Sequence, residues 1–92
     1  MNVKDAVTCA KQHIIELFAG ENPTNVGLEE VEFDDQENIW LVTIGFSRPW
    51  DEPRNALAAL AVSALPRRTY KIVRISNEKG NVLSVKNREG QS

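Results

Sequence analysis

Cys9 and His13 stand four residues apart, with Glu16 three further on. On a helix these offsets make the three side chains neighbours on one surface, superficially a thiol, a base and an orienting carboxylate. They are the chain's only cysteine and only histidine. Two neighbours on one helix supply neither an oxyanion hole nor enough ligands for zinc, so both are expected to be ordinary boundary residues. Glu30 and Glu32 offer a second arrangement, two carboxylates on one strand face where no bulge intervenes, of the donor type that hard cations accept. Carboxylates so placed on a strand are usually solvated. The expectation is a chain that is not an enzyme, with no cofactor, no metal site and no small-molecule substrate.

The element that must carry Cys9 and His13 is a helix over residues 3–19. Asn2 suits its N-cap, Asp5 is its third residue, and Gly20 stands where a left-handed residue would end it. At about 100° per residue, Val3, Ala6, Val7, Ala10, Ile14, Leu17 and Phe18 gather on one side and Asp5, Gln12 and Glu16 on the other. Cys9 and His13 flank the apolar stripe. Small residues at positions 6 and 10 allow a close approach to a sheet.

Four strands follow. Residues 28–34 mix Leu28, Val31 and Phe33 with Glu29, Glu30 and Glu32, an alternation that slips once and predicts a bulge near Glu29 and Glu30. Residues 22–27 before it carry turn-forming types, and residues 34–38 form a polar turn after it. Residues 39–47 alternate Trp40, Val42, Ile44 and Phe46 with a mixed set, the pattern of a central strand. Residues 69–76 and 82–88 flank a turn in which Gly80 suits positive φ. Val73 and Ile75 are placed to face Leu83 and Val85, while Tyr70 and Ile72 have the opposite parity, which leaves the third strand's register open.

The expected architecture is α+β: an N-terminal helix packed on a four-stranded antiparallel meander, with a long insertion, residues 48–68, between strands two and three and a tail over 89–92. The 92 residues, 41% hydrophobic and 26% charged with a net charge of −2, fit one globular domain. One cysteine excludes an intramolecular disulfide. With no secretory apolar segment and no run near the ~18 residues that span a bilayer, the expected location is the cytoplasm, away from membranes.

Helix, strand and Trp-bearing strand are followed by Tyr70-Lys71-Ile72-Val73-Arg74-Ile75 and then Gly80-Asn81-Val82-Leu83-Ser84-Val85. In this order the chain resembles PepSY-like and cystatin-like helix-on-sheet domains, over residues 3–88 in outline. The resemblance implies binding or inhibition of other proteins. Many PepSY domains are exported, whereas no export signal is read here.

Charge is unevenly spread. Residues 21–38 hold Glu21, Glu29, Glu30, Glu32, Asp34, Asp35 and Glu37 with no basic residue. Residues 66–92 hold Arg67, Arg68, Lys71, Arg74, Lys79, Lys86 and Arg88 against Glu78 and Glu89. In a meander of sequence order the acidic strand is one edge and the basic hairpin the other, so the two poles do not cancel locally. Charged edges discourage aggregation, and they also suit recognition of an oppositely charged partner.

The insertion is too long for a hairpin turn. Two prolines stiffen its first part around Trp50. Its second part, residues 55–66, opens at a possible N-cap and closes at a helix breaker, with Leu57, Leu60, Ala61 and Ala64 on one side and no charge on the other. A helix this short and this apolar needs packing: against its own sheet, against another chain, or only once a partner arrives. The stems should bring Arg48, Trp50 and Arg54 near Arg67, Arg68 and Tyr70, a mixture of arginine and aromatic groups enriched at binding hot spots. The expected function is a small protein-binding module of the inhibitor, immunity-like or accessory kind. It recognises another protein or a second copy of itself through Arg48, Trp50, Arg54, Leu57, Leu60, Arg67, Arg68 and Tyr70 and the charged sheet edges. The alternative is nucleic-acid binding by the basic hairpin, which the acidic pole and the lack of a recognised motif disfavour.

Overall fold

The computed structural model describes residues 1–49 and 68–88. Helix α1, Val3–Leu17, leads through a short 3-10 turn, Ala19–Glu21, into strands β1, Thr24–Asp34, β2, Ile39–Ser47, β3, Thr69–Ser76, and β4, Val82–Asn87. All three neighbouring strand pairs are antiparallel and the sheet order is β1-β2-β3-β4. This is the α+β helix-on-meander expected from the sequence. The insertion and the tail lie outside the described residues, apart from Arg48, Pro49, Arg68 and the frame on which the insertion hangs. Phe46 pairs with Thr69, so the chain leaves β2 and re-enters β3 side by side. Among the described residues no helix is long and apolar enough to cross a membrane.

Asn2 caps α1 as expected. Its side chain accepts from the Asp5 N–H at 2.9 Å, and the Asp5 carboxylate accepts from the Asn2 N–H at 3.4 Å, which satisfies two otherwise orphaned donors. The far end differs from expectation. The helix stops at Leu17 rather than residue 19, and the left-handed residue is Asn22 (φ 50°), not Gly20. The intervening 3-10 turn carries the chain past Gly20 before it reverses, and asparagine tolerates the left-handed region better than most side chains.

β1 is longer than its alternation predicts. It begins at Thr24 because Asn25, left-handed at φ 53°, is absorbed as an irregularity between Thr24 and Gly27, so turn-forming residues sit inside the strand. The bulge expected near Glu29 and Glu30 is present as a register shift between Leu28 and Glu30. Asp34 Oδ1 then accepts from the N–H groups of Gln36 and Glu37, closing the polar turn, with Asn38 left-handed. At the other hairpin Gly80 adopts φ 71° and donates to the Ser76 carbonyl at 2.7 Å. Asn77 ties the two turns together: it accepts from Trp40 Nε1 at 3.0 Å and donates to Asn38 Oδ1 at 3.1 Å.

The register of β3 pairs Val42 with Val73 and Val73 with Val85. Ile75 pairs with Val82 instead, since Leu83 is taken up by a bulge and is exposed. Val42, Ile44, Phe46, Val73 and Ile75 are fully buried against Ala6, Ala10 and Ile14. Phe18 closes one end on Phe46, ring centroids 5.2 Å apart, and Phe33 stacks on Trp40 at 4.8 Å. The apolar helix stripe is shorter than its sequence. Val3 and Leu17 are 45% and 55% exposed, because the row that meets the sheet is 6, 10, 14 and these residues project beyond its ends.

Candidate interaction face

Because strand side chains alternate, burying residues 42, 44 and 46 under α1 turns 41, 43 and 45 to the other side of the sheet, over which no described element lies. The register aligns that side in rows. Glu30 pairs with Thr43, Thr43 with Ile72, and Ile72 with Lys86. The next row reads Glu32, Leu41, Arg74, Ser84. Each row begins at a carboxylate on the β1 edge, and each crosses small or apolar residues. Lysine ends the first row, and arginine stands next to the end of the second. Glu30, Glu32 and Lys86 are exposed, Leu41, Ile72 and Arg74 are partly so, and Thr43 is buried between its neighbours. Among the described residues none of the four charges Glu30, Glu32, Arg74 and Lys86 has an ion-pair partner.

The third row is centred on Gly45, which lies between Gly27 and Tyr70. A Cβ at Gly45 would lie 2.9 Å from Arg68 Nη2 and 3.0 Å from both Glu29 Oε1 and Tyr70 Cε1. The missing side chain thus lets Arg68 and Glu29 meet across the strand at 3.7 Å, while Arg68 Nη2 also donates to the Asn25 carbonyl at 3.0 Å. The Arg88 guanidinium lies 4.0 Å above the Tyr70 ring.

The sequence-derived patch is divided by the sheet. Arg68 and Tyr70 lie on the open face. Arg48 turns to the helix side, where Nη1 pairs with Glu21 at 2.8 Å, Nη2 donates to Thr69 Oγ1 at 2.8 Å, and the guanidinium lies 5.8 Å from the Phe46 ring centre. Adjacent stems therefore do not bring Arg48 to Arg68 and Tyr70: residue 48 continues past Ser47 toward the helix layer. Trp50, Arg54, Leu57, Leu60 and Arg67 lie outside the described residues. Lys71, one of the basic pole, also belongs to the helix side, bonded to Asn87 and 5.6 Å from the Phe18 ring centre. Gly45 and the alignment of Glu30 with Lys86 escaped the sequence reading. Parity within each strand was visible, but the pairing between strands was not.

The chain matches no protein-family model, no curated protein and no solved structure.

Among the described residues no hydrogen bond joins Cys9, His13 and Glu16, and Glu16 accepts from Gln12 instead. The Cys9 thiol points at the Gly80 carbonyl, 3.9 Å away, and burial pushes its pKa above the ordinary 9.0, which disfavours the nucleophilic thiolate. Glu30 and Glu32 do share a face, since the bulge precedes them. Among the described residues no three His, Cys, Asp or Glu side chains converge as metal ligands. What the open face offers is electrostatic: a carboxylate edge, an apolar and hydroxyl-bearing centre, and a cationic edge.

Proposed function

We propose that the chain is a small cytoplasmic protein-binding module, of the inhibitor, immunity-like or accessory kind, that recognises a partner protein through the open sheet face and its charged edges. One observation carries this reading: rows of side chains graded from Glu30 and Glu32 to Arg74 and Lys86 across the apolar Leu41 and Ile72. Opposed charges around a partly apolar centre orient a protein partner and suppress wrong ones. A polyanion fits this face poorly. A polyanion laid across the face would have to set phosphates on Glu30 and Glu32 as well as on Arg74 and Lys86.

The test is the composition of the complex formed by the native chain. Purified at low salt from its own cells and weighed by native mass spectrometry, it is expected to carry a stoichiometric protein partner, a second copy included. A chain that stays single and retains nothing overturns the reading, as does a complex whose other component is nucleic acid.

A further inference from the structure

Resting on that reading, we infer that the edge strand β1 receives an extended segment of a partner protein as a fifth strand, in which cationic and apolar residues alternate and the apolar ones enter a groove between β1 and α1. β1 ends the sheet. From Glu30 to Asp34 it pairs residue for residue with β2 and, among the described residues, with nothing on its outer side. Such a stretch offers a regular backbone ladder to an added strand. Its two faces differ in chemistry. Val31 and Phe33 pair with Val42 and Trp40 and so lie on the α1 side, whereas Glu30 and Glu32 lie on the other. The stems of the insertion meet the sheet at the far end of β1, where Ser47 pairs with Thr24 and Arg68 bonds the Asn25 carbonyl.

The register shift extends the contrast. By alternation alone Leu28 would share a face with Glu30, but the shift between them sets Leu28 opposite Ile44, on the α1 side. There it lines an open groove of about 400 Å³ with Val3, Lys4, Val7 and Thr8 of the helix. Leu28, Val3 and Phe33 are 42%, 45% and 40% exposed, and Glu30 and Glu32 are exposed as well. Charges on an edge strand discourage pairing between copies. Protection alone would not leave a leucine, a valine and a phenylalanine uncovered beside them. The occupant follows from cross-strand pairing. Neighbours of Val31 and Phe33 on an added strand share their face and are apolar, and neighbours of Glu30 and Glu32 are cationic. Lys4 at the rim of the groove repels a cation on the α1 side, which fixes the order as alternating. The described strands of this chain lack that order. Lys71 and Arg74 differ in parity on β3, and Asn87 stands between Lys86 and Arg88 where an apolar residue is needed.

The probe is a fluorescein-labelled, end-capped heptapeptide of alternating lysine and leucine, titrated with the full chain and followed by anisotropy. It is expected to bind with a micromolar Kd. A peptide of the same composition with its lysines and leucines in two blocks is expected to bind about tenfold more weakly, as is alternating glutamate and leucine. Backbone methylation separates strand addition from general charge attraction. Alternate N–H groups of an added strand point at β1, so methylating the nitrogens of the leucines or of the lysines should abolish binding in one series and spare it in the other. L28E and V3E, at exposed positions, are each expected to weaken binding about fivefold or more. E30K/E32K should lose the lysine peptide and gain the glutamate one. All these variants should retain the native circular dichroism spectrum.

Absence of saturable binding up to about 1 mM overturns the inference. So do equal binding of the block peptide, equal effects of the two methylation series, or unchanged binding by E30K/E32K. In native mass spectrometry L28E and E30K/E32K are each expected to lose the protein partner. If both variants keep it and R74E/K86E loses it, the recognition reading stands and this inference falls. If the native chain holds no protein at all, both fall.

Discussion

The two faces of this sheet are made by alternate residues of the same four strands, yet they follow opposite rules. Under α1, the β2 and β3 side chains Val42, Ile44, Phe46, Val73 and Ile75 are removed from water completely. On the other side Ile39, Thr43, Gly45 and Ser47 of β2 are buried as well, while Leu41, Ile72 and Arg74 remain partly in contact with solvent, bordered by charges without an ion-pair partner among the described residues. The helix-side layer is held by burial, which is non-directional and tolerant of which apolar group fills the space. The open layer is organised by position, because its carboxylates and cations have meaning only in the register that aligns Glu30 with Lys86. A single sheet thus carries an apolar layer on one side and a graded, charged layer on the other, and the difference can be attacked from either side.

The largest effect should come from truncating the covered face. Phe46→Ala removes a fully buried ring that touches Phe18 and is expected to cost about 3–5 kcal/mol, read as a lower urea midpoint at unchanged slope. Ile72→Ala, one strand away on the open face, should cost no more than about 1 kcal/mol in the same assay, since much of its burial is incomplete. Equal losses would mean that the open face is a second core and that the contrast between the faces is mistaken.

Gly45→Ala comes next, at about 1 kcal/mol. Its backbone is ordinary, so the cost is steric: the new methyl must displace Arg68 Nη2, Glu29 Oε1 and the Tyr70 ring edge. Arg68 and Glu29 can swing away, whereas the ring has less freedom. The diagnostic is that Gly45→Ala and Arg68→Ala should be less than additive, because removing the guanidinium clears part of the space. Strict additivity would show that the close approach at Gly45 is not what holds Arg68 in place.

These contrasts explain how much was legible beforehand. The helix with its Asn2 cap, the bulge near Glu30, the positive φ of Gly80 and the order of the strands all arise from local chemistry or short-range alternation, and each is present. The C-terminal end of α1 and the start of β1 were misplaced because Asn22 and Asn25 took the left-handed conformations that composition assigned to Gly20 and to a turn. The candidate patch was only half legible. Strand parity puts Arg68 and Tyr70 on the open face and Arg48, which continues the series 42, 44 and 46, on the helix side with Glu21 and Thr69; the nearness of the two stems alone does not tell these sides apart. The rows themselves depend on pairing between residues up to 56 positions apart, such as Glu30 and Lys86, which no periodicity within one strand encodes.

A smaller effect separates the covered layer by its chemistry. Cys9 borders that layer, and desolvation raises its pKa above 9.0, so the native state favours the thiol. Well below pH 9.0 neither the folded nor the unfolded chain ionises it appreciably and its effect on stability vanishes. Above 9.0 the unfolded chain loses the proton first, and stability should decline as pH rises toward the folded value. Alkylation by iodoacetamide at pH 8 is correspondingly expected to run several-fold slower in the native chain than in urea. Cys9→Ser should flatten the alkaline decline attributable to this group. A native thiol as reactive as the unfolded one would place Cys9 in water and outside the covered layer.

The smallest expected effects lie in the two arginine pairs, one on each side of the sheet. Arg48 meets Glu21 at 2.8 Å and adds the Thr69 hydroxyl, whereas Arg68 meets Glu29 at 3.7 Å. Both pairs are partly exposed, so solvent screens each of them and neither can rival a buried ring. A double-mutant cycle of Arg48→Ala with Glu21→Ala should give a coupling of about 0.5–1 kcal/mol, and the cycle of Arg68→Ala with Glu29→Ala no more than about 0.5 kcal/mol. Added salt should erode the Arg68 coupling first, because its longer separation lacks the direct hydrogen bond that keeps Arg48 in place. If the Arg68 pair proves the stronger, the face opposite α1 contributes to folding more than its partial exposure implies, and the difference between the two layers must be redrawn around Gly45.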